Sequence, residues 1–164
     1  MNTLAAQLQN HFLRPGELFI TETPTQVSTV LGSCVALTLF HPRQRIGAIC
    51  HALLPMGDRP QDFKFVNSAL AYLLACFDRR GVPRRELVVK LFGGAEIFNA
   101  DQSGGSALNV GRQNVTMATK ELQREGLRLH ASDVGGRQGR KILFFTHTGE
   151  VHLRRLAEAG QTLR

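Results

Sequence analysis

Tryptophan is absent from this 164-residue chain, and tyrosine occurs once, at Tyr72. Beyond ten phenylalanines, little is left on which nucleic-acid bases could stack. Acidic residues are also scarce. Thirteen stand against twenty lysines and arginines, giving a net charge of +7. Such a charge suggests an acidic partner. The basic residues are scattered, however, as at Arg43, Arg59, Arg79, Arg112 and Arg154. No helix-turn-helix, zinc-finger or RNP pattern accompanies them, so no nucleic-acid partner is expected. No apolar run nears the ~20 residues of a spanning helix, so no membrane insertion is expected. The N-terminus lacks the basic and continuous apolar regions of a secretory signal, and the expected location is cytoplasmic. Cysteine is sparse and odd in number: Cys34, Cys50 and Cys76. That excludes a disulfide framework, and the absence of C-x-x-C excludes the usual zinc spacing. At least one thiol is left free.

The remaining composition is that of one folded domain. Hydrophobic residues make up 43% of the chain, enough to bury a core, and the length leaves no room for two independent ones. The expected domain is residues 1–164. Its first 14 residues read as a helical extension, because Leu4, Leu8 and Phe12 recur at helical spacing before Pro15-Gly16. Strands are expected over 16–23, 26–30, 35–40 and 46–54, the last two joined through the His41–Arg45 turn. A helix over 62–80 presents Phe63, Val66, Leu70, Leu73, Leu74 and Phe77 on one face. A strand over 86–92, a polar loop over 99–106 and a helix over 112–125 follow. Strands over 127–133, 141–146 and 150–156 complete the chain. Adjacent hairpins without strict βαβ alternation imply an α/β protein of the α+β type, with mixed, largely antiparallel sheet layers flanked by helices.

One hairpin brings chemistry together. In an antiparallel pair the numbers of facing residues sum to a constant, and a turn centred near Pro42-Arg43 makes that sum about 85–86. Cys34 then faces His51 or Ala52. A thiol beside an imidazole can lose its proton to it and attack a carbonyl carbon. The resulting imidazolium can protonate a leaving nitrogen. Gly32 and Ser33 keep the chain beside Cys34 slender, and their backbone N–H groups are the natural oxyanion donors. Ser28 or Thr29 could orient His51 as a third member; alternation sends the two to opposite faces. Cys50 must point away from His51 and reads as core, as does Cys76 within a helix. The glycine pairs at 93–94, 104–105 and 135–136 fit no phosphate-binding pattern and read as turns or close backbone approaches. The other histidines show no ligand spacing.

The segments LGSCVALTLFHP and GAICHALLP, followed by KLFGGAEIF, NVGRQNV and DVGGRQGRKILFFTHTGEV, resemble the CheD family of chemoreceptor glutamine deamidases. The similarity runs over about residues 16–155. It implies an amidohydrolase, a protein-glutamine glutaminase, that converts glutamines in the cytoplasmic helices of methyl-accepting chemotaxis receptors to glutamate. It also implies hydrolysis of glutamyl methyl esters. Cys34 carries over as nucleophile and His51 as base. The family's third residue, a threonine, falls on Thr29 by type, or on Ser28 by gapless count. No metal or organic cofactor is implied. A CheC-type phosphatase is an implied partner. Rival readings are another thiol hydrolase or a non-enzymatic chemotaxis adaptor regulating such a phosphatase.

Overall fold

Strands made almost wholly of apolar or small residues are stable only between two covering layers. VALTLFH and IGAICHA are of this kind, and every residue in both is buried. The computed structural model describes residues 7–96 and 109–157. These form nine strands, two α-helices and one turn of 3-10 helix. In chain order they are β1 (Gln9–Phe12), β2 (Leu18–Thr21), β3 (Thr25–Leu31), β4 (Val35–His41), β5 (Ile46–Ala52), α1 (Val66–Arg79), the 3-10 turn Arg84–Glu86, β6 (Val88–Gly93), α2 (Val110–Arg124), β7 (Leu129–Val134), β8 (Arg140–Phe145) and β9 (Val151–Arg155). The strands make a four-stranded sheet in the order β1-β3-β8-β9 and a five-stranded sheet in the order β2-β5-β4-β6-β7. Pairing is antiparallel except for β1 with β3 and β6 with β7. The mixed, largely antiparallel layers flanked by helices expected from the sequence are present.

Two apolar cores result. Val35, Leu37, Leu39, Ala48, Cys50 and Ala52 pack with Leu70, Leu73, Phe77 and Leu122 of the helices. On the opposite face Ala36, Ile49 and Phe92 pack with Val27, Leu31, Ile142 and Phe144 of the smaller sheet. Period-2 alternation therefore decides which core each β4 and β5 side chain enters. Cys50 goes beneath the helices, as its sequence position implied. His51 and the half-buried Cys34 lie toward the smaller sheet.

Three expectations change. The helix foreseen over residues 1–13 is absent over its described part. Gln9–Phe12 is a strand pairing with Thr25–Ser28, while Leu4 lies outside the described residues. Backbone pairing along the edge of β3 outweighs the helical spacing of Leu8 and Phe12. Leu13 becomes fully buried while Phe12 is 57% exposed. The hairpin register also differs. Val35 faces Ala52 and Ala36 faces His51, so the numbers sum to 87 rather than 85–86. The turn runs over residues 42–45, with Arg45 in the left-handed region at φ 52°, and its centre shifts accordingly. Finally, Glu86 belongs to the 3-10 turn, and β6 starts at Val88. The polar loop over 99–106, with its glycine pair, lies outside the described residues.

Candidate active site

The register change moves Cys34 off the position directly opposite His51. Cys34 sits one residue beyond the last ladder pair, Val35 with Ala52. It shares the face of Ala36, and Ala36 is the partner of His51. Cys34 and His51 are thus diagonal neighbours on one sheet face, a relation that spans about 7–8 Å between α-carbons. Their side chains form no hydrogen bond: His51 Nε2 is buried and has no partner among the described residues.

The other imidazole nitrogen is fully engaged. Thr29 Oγ1 lies 2.7 Å from His51 Nδ1. The same hydroxyl donates its proton to the Leu13 carbonyl, also at 2.7 Å. A hydroxyl has one proton to give, so Thr29 must accept from Nδ1–H. This chain of two bonds fixes the tautomer and leaves Nε2 with a lone pair. Burial reinforces the neutral state. Removal from water lowers the His51 pKa from 6.5 to about 4, because an imidazolium there would lose its hydration. The Cys34 thiol is pushed above its ordinary value by burial, while its own backbone N–H pulls the other way. At neutral pH the pair is therefore a thiol and a free base rather than a preformed thiolate–imidazolium.

The choice between Ser28 and Thr29 follows from the packing of β3. Thr25, Val27, Thr29 and Leu31 are buried, whereas Gln26 and Ser28 are partly exposed and Val30 is exposed. Thr29 faces the larger sheet and Ser28 faces outward, opposite Leu143 of β8.

The Leu31–Cys34 turn is held by segments distant in sequence. Gly94 N–H donates to the Cys34 carbonyl at 2.8 Å, and Ala95 N–H to the Gly32 carbonyl at 2.9 Å. Gly93 has φ +104°, and a Cβ there would stand 2.2 Å from the Cys34 oxygen. Only glycine fits. Arg140, 3% exposed, bridges this support to β7: it donates to Asp133 Oδ1 at 2.7 Å, to the Gly135 carbonyl at 2.8 Å and to the Gly93 carbonyl at 3.3 Å. Asn114 of α2, fully buried, donates to the carbonyls of Ser33 and Leu53, each at 3.0 Å. Arg112 on the same helix pairs with Glu96 at 2.6 Å. Thus the FGGAE, NVGRQN and DVGGRQGR segments converge behind the Cys34 turn. The Ser33 and Cys34 N–H groups donate to no carbonyl among the described residues.

Two participants were not foreseen from the sequence. The Leu13 carbonyl is a backbone group and carries no residue-type signal. Asn114 did leave a signal: with Gly111, Ala118 and Leu122 it falls on the buried stripe of α2, where an amide side chain is out of place.

The fold and the site together define a two-sheet sandwich, covered by helices, with a half-exposed cysteine near an oriented neutral imidazole. The family model described as "CheD chemotactic sensory transduction" matches residues 53–155. That segment holds the supporting motifs and begins just after His51. Full-length likenesses reach further. "Probable chemoreceptor glutamine deamidase CheD 2" of Geobacter sulfurreducens is 48% identical over 150 residues, covering 92% of each chain. "Probable chemoreceptor glutamine deamidase CheD" of Maridesulfovibrio salexigens is 42% identical, covering 92% of this chain and 94% of that one. Among solved structures, YlmD from Geobacillus stearothermophilus aligns with a TM-score of 0.47 at 10% identity, covering 80% of this chain and 61% of that one. This chain belongs to the CheD family.

Proposed function

We propose that this protein is a chemoreceptor glutamine deamidase that hydrolyses glutamine side chains through Cys34, with His51 as base and Thr29 as the group that orients it. The observation that carries the reading is the Leu13–Thr29–His51 hydrogen-bond chain. It leaves Nε2 unprotonated on the side of the sheet where Cys34 lies. The relatives' printed names, chemoreceptor glutamine deamidase, supply the substrate class.

The chemistry runs in two halves. His51 Nε2 takes the thiol proton as Cys34 Sγ attacks the glutamine carboxamide carbon. The thiol closes onto the imidazole when substrate enters, since catalytic hydrogen bonds tighten in the substrate complex. The oxyanion is held by backbone N–H groups of the Gly32–Cys34 turn. The C–N bond then breaks, the imidazolium gives its proton to the departing nitrogen, and ammonia leaves a thioester. His51 next removes a proton from water, whose oxygen attacks the thioester. The C–S bond breaks, the thiol regains its proton, and glutamate remains. A glutamyl methyl ester follows the same course with methanol leaving. No step calls on a metal or an organic cofactor.

The substrate would lie on the cytoplasmic helices of methyl-accepting chemotaxis receptors, and the enzyme would act in the cytoplasm. Among the described residues no helix is long and apolar enough to cross a membrane. A CheC-type phosphatase is the further partner we propose, and co-purification with such a protein tests it. The deciding experiment is mass spectrometry of a purified receptor cytoplasmic fragment. Each deamidated glutamine adds ~1 Da, and the gain should vanish in Cys34→Ala and fall on the order of 10²–10⁴-fold in His51→Ala. A wild-type mass gain from Cys34→Ala would remove the mechanism, and no gain from the wild-type protein would favour an adaptor role.

A further inference from the structure

The β4–β5 ladder ends at Val35 and Ala52, one residue short of the nucleophile. Beyond it the two chains diverge: Leu53 and Leu54 turn their N–H groups to the Lys64 carbonyl, and Ser33 belongs to the turn from β3. Two carbonyls, Ser33 O and Leu53 O, are left facing the same space. Ordinary strand pairing cannot satisfy both, because each is an acceptor. Asn114 Nδ2 enters from α2 and donates one proton to each at 3.0 Å. Its orientation is unambiguous, since turning the amide over would set its oxygen against two other oxygens. The side chain is wholly inaccessible, and its Oδ1 has no partner among the described residues. A buried polar group left half-satisfied is a cost that an apolar residue on the same helix face would not incur. Core packing alone therefore does not account for an asparagine there.

We propose that Asn114 is a positioning residue, whose amide ties the Ser33–Cys34 peptide to the strand carrying His51 and so sets the approach of the thiol to the imidazole. Three features converge on this. The two carbonyls flank the reacting pair, one immediately before Cys34 and the other two residues after His51. The tie comes from a helix, so it is stiff. Gly111, one turn earlier on α2, is pressed against the Gly94–Ala95 backbone, where a Cβ would stand 2.2 Å from the Ala95 oxygen. That contact anchors the helix to the same turn through a second route. The inference rests on the Cys34–His51 reading above.

The test is a double-mutant cycle read through alkylation of Cys34 by iodoacetamide, with the modified cysteine identified by peptide mass. Deamidation is not needed for this readout. Iodoacetamide carries the same carboxamide as a glutamine side chain and draws the thiol onto the imidazole as the substrate does, so His51→Ala should slow alkylation about tenfold in the wild-type background. It should slow it less than about twofold when Asn114 is alanine, because the base is then no longer aimed at the thiol. Asn114→Asp, which keeps the shape but sets a carboxylate against two carbonyls, should uncouple the pair likewise and serves if the alanine variant does not fold. With a receptor fragment as substrate, both variants should lower kcat at least about tenfold and leave KM within about twofold. Equal His51→Ala effects in both backgrounds would overturn the role of Asn114 while leaving the pair intact. No effect of His51→Ala in the wild-type background would sink the pair, and this inference with it.

Discussion

At the scale of single residues, the site depends on where one proton sits. The Thr29 hydroxyl gives its hydrogen to Leu13 and receives one from His51. Thr29→Val removes both bonds at nearly constant volume and should lower deamidation on the order of 10–100-fold, whereas Thr29→Ser should retain most activity. Wild-type turnover by Thr29→Val would contradict the orienting role. With His51 held near pKa 4, kcat/KM should stay flat from about pH 5.5 to 7.5. An ordinary imidazole would instead halve the rate near pH 6.5, so such an inflection would refute a buried neutral base. The same group links folding to pH. Between 6.5 and about 4 the unfolded chain binds a proton at His51 that the folded chain refuses. This contribution to stability is complete above the first value and lost by up to ~3 kcal/mol as pH falls through the second. Denaturant titrations at several pH values, compared with His51→Phe, would show it. The nearness of Cys34 and His51 was legible from residue types and their spacing, but as facing rather than diagonal neighbours. The choice of Thr29 over Ser28 was not, because alternation separates the two without saying which face is inward.

At the scale of elements, the supporting turns matter as much as the strands. Gly93→Ala forces a Cβ to within 2.2 Å of the Cys34 carbonyl at a φ of +104°. It should cost roughly 2–4 kcal/mol of stability and displace the nucleophile turn. Urea denaturation with an unchanged slope, together with loss of deamidation, is the expected outcome. Unaltered stability and turnover would show that the turn yields more freely than the contact implies. The apolar strands and both helices could be read from periodicity, since long-range packing only confirmed what their patterns specified. β1 could not, because four residues carry too little pattern to separate a helical spacing from an edge strand. The hairpin register escaped for a related reason: it depends on a left-handed Arg45, a conformation that residue type does not announce.

At the scale of the whole molecule, a charge of +7 is spread through the sequence rather than gathered in one run. If it serves encounter with an acidic receptor helix, kcat/KM for a receptor fragment should fall roughly tenfold between about 0.05 and 0.5 M salt. Alkylation of Cys34 by uncharged iodoacetamide should not respond. Matching salt profiles for the two would locate the effect in the site rather than in encounter. Largely antiparallel sheet layers flanked by helices were legible from element order, while the division into two sheets, one packed over the other, requires contacts between ends of the chain that no local pattern encodes.

Thr29 stands across from Ile142 in the ladder of the smaller sheet, and Arg140 holds the backbone behind Cys34. A ribosome-bound chain that has produced its cysteine and histidine thus still lacks the strand that seats the orienting hydroxyl. That strand begins only at Arg140, so fragments that end before it should hydrolyse no glutamine.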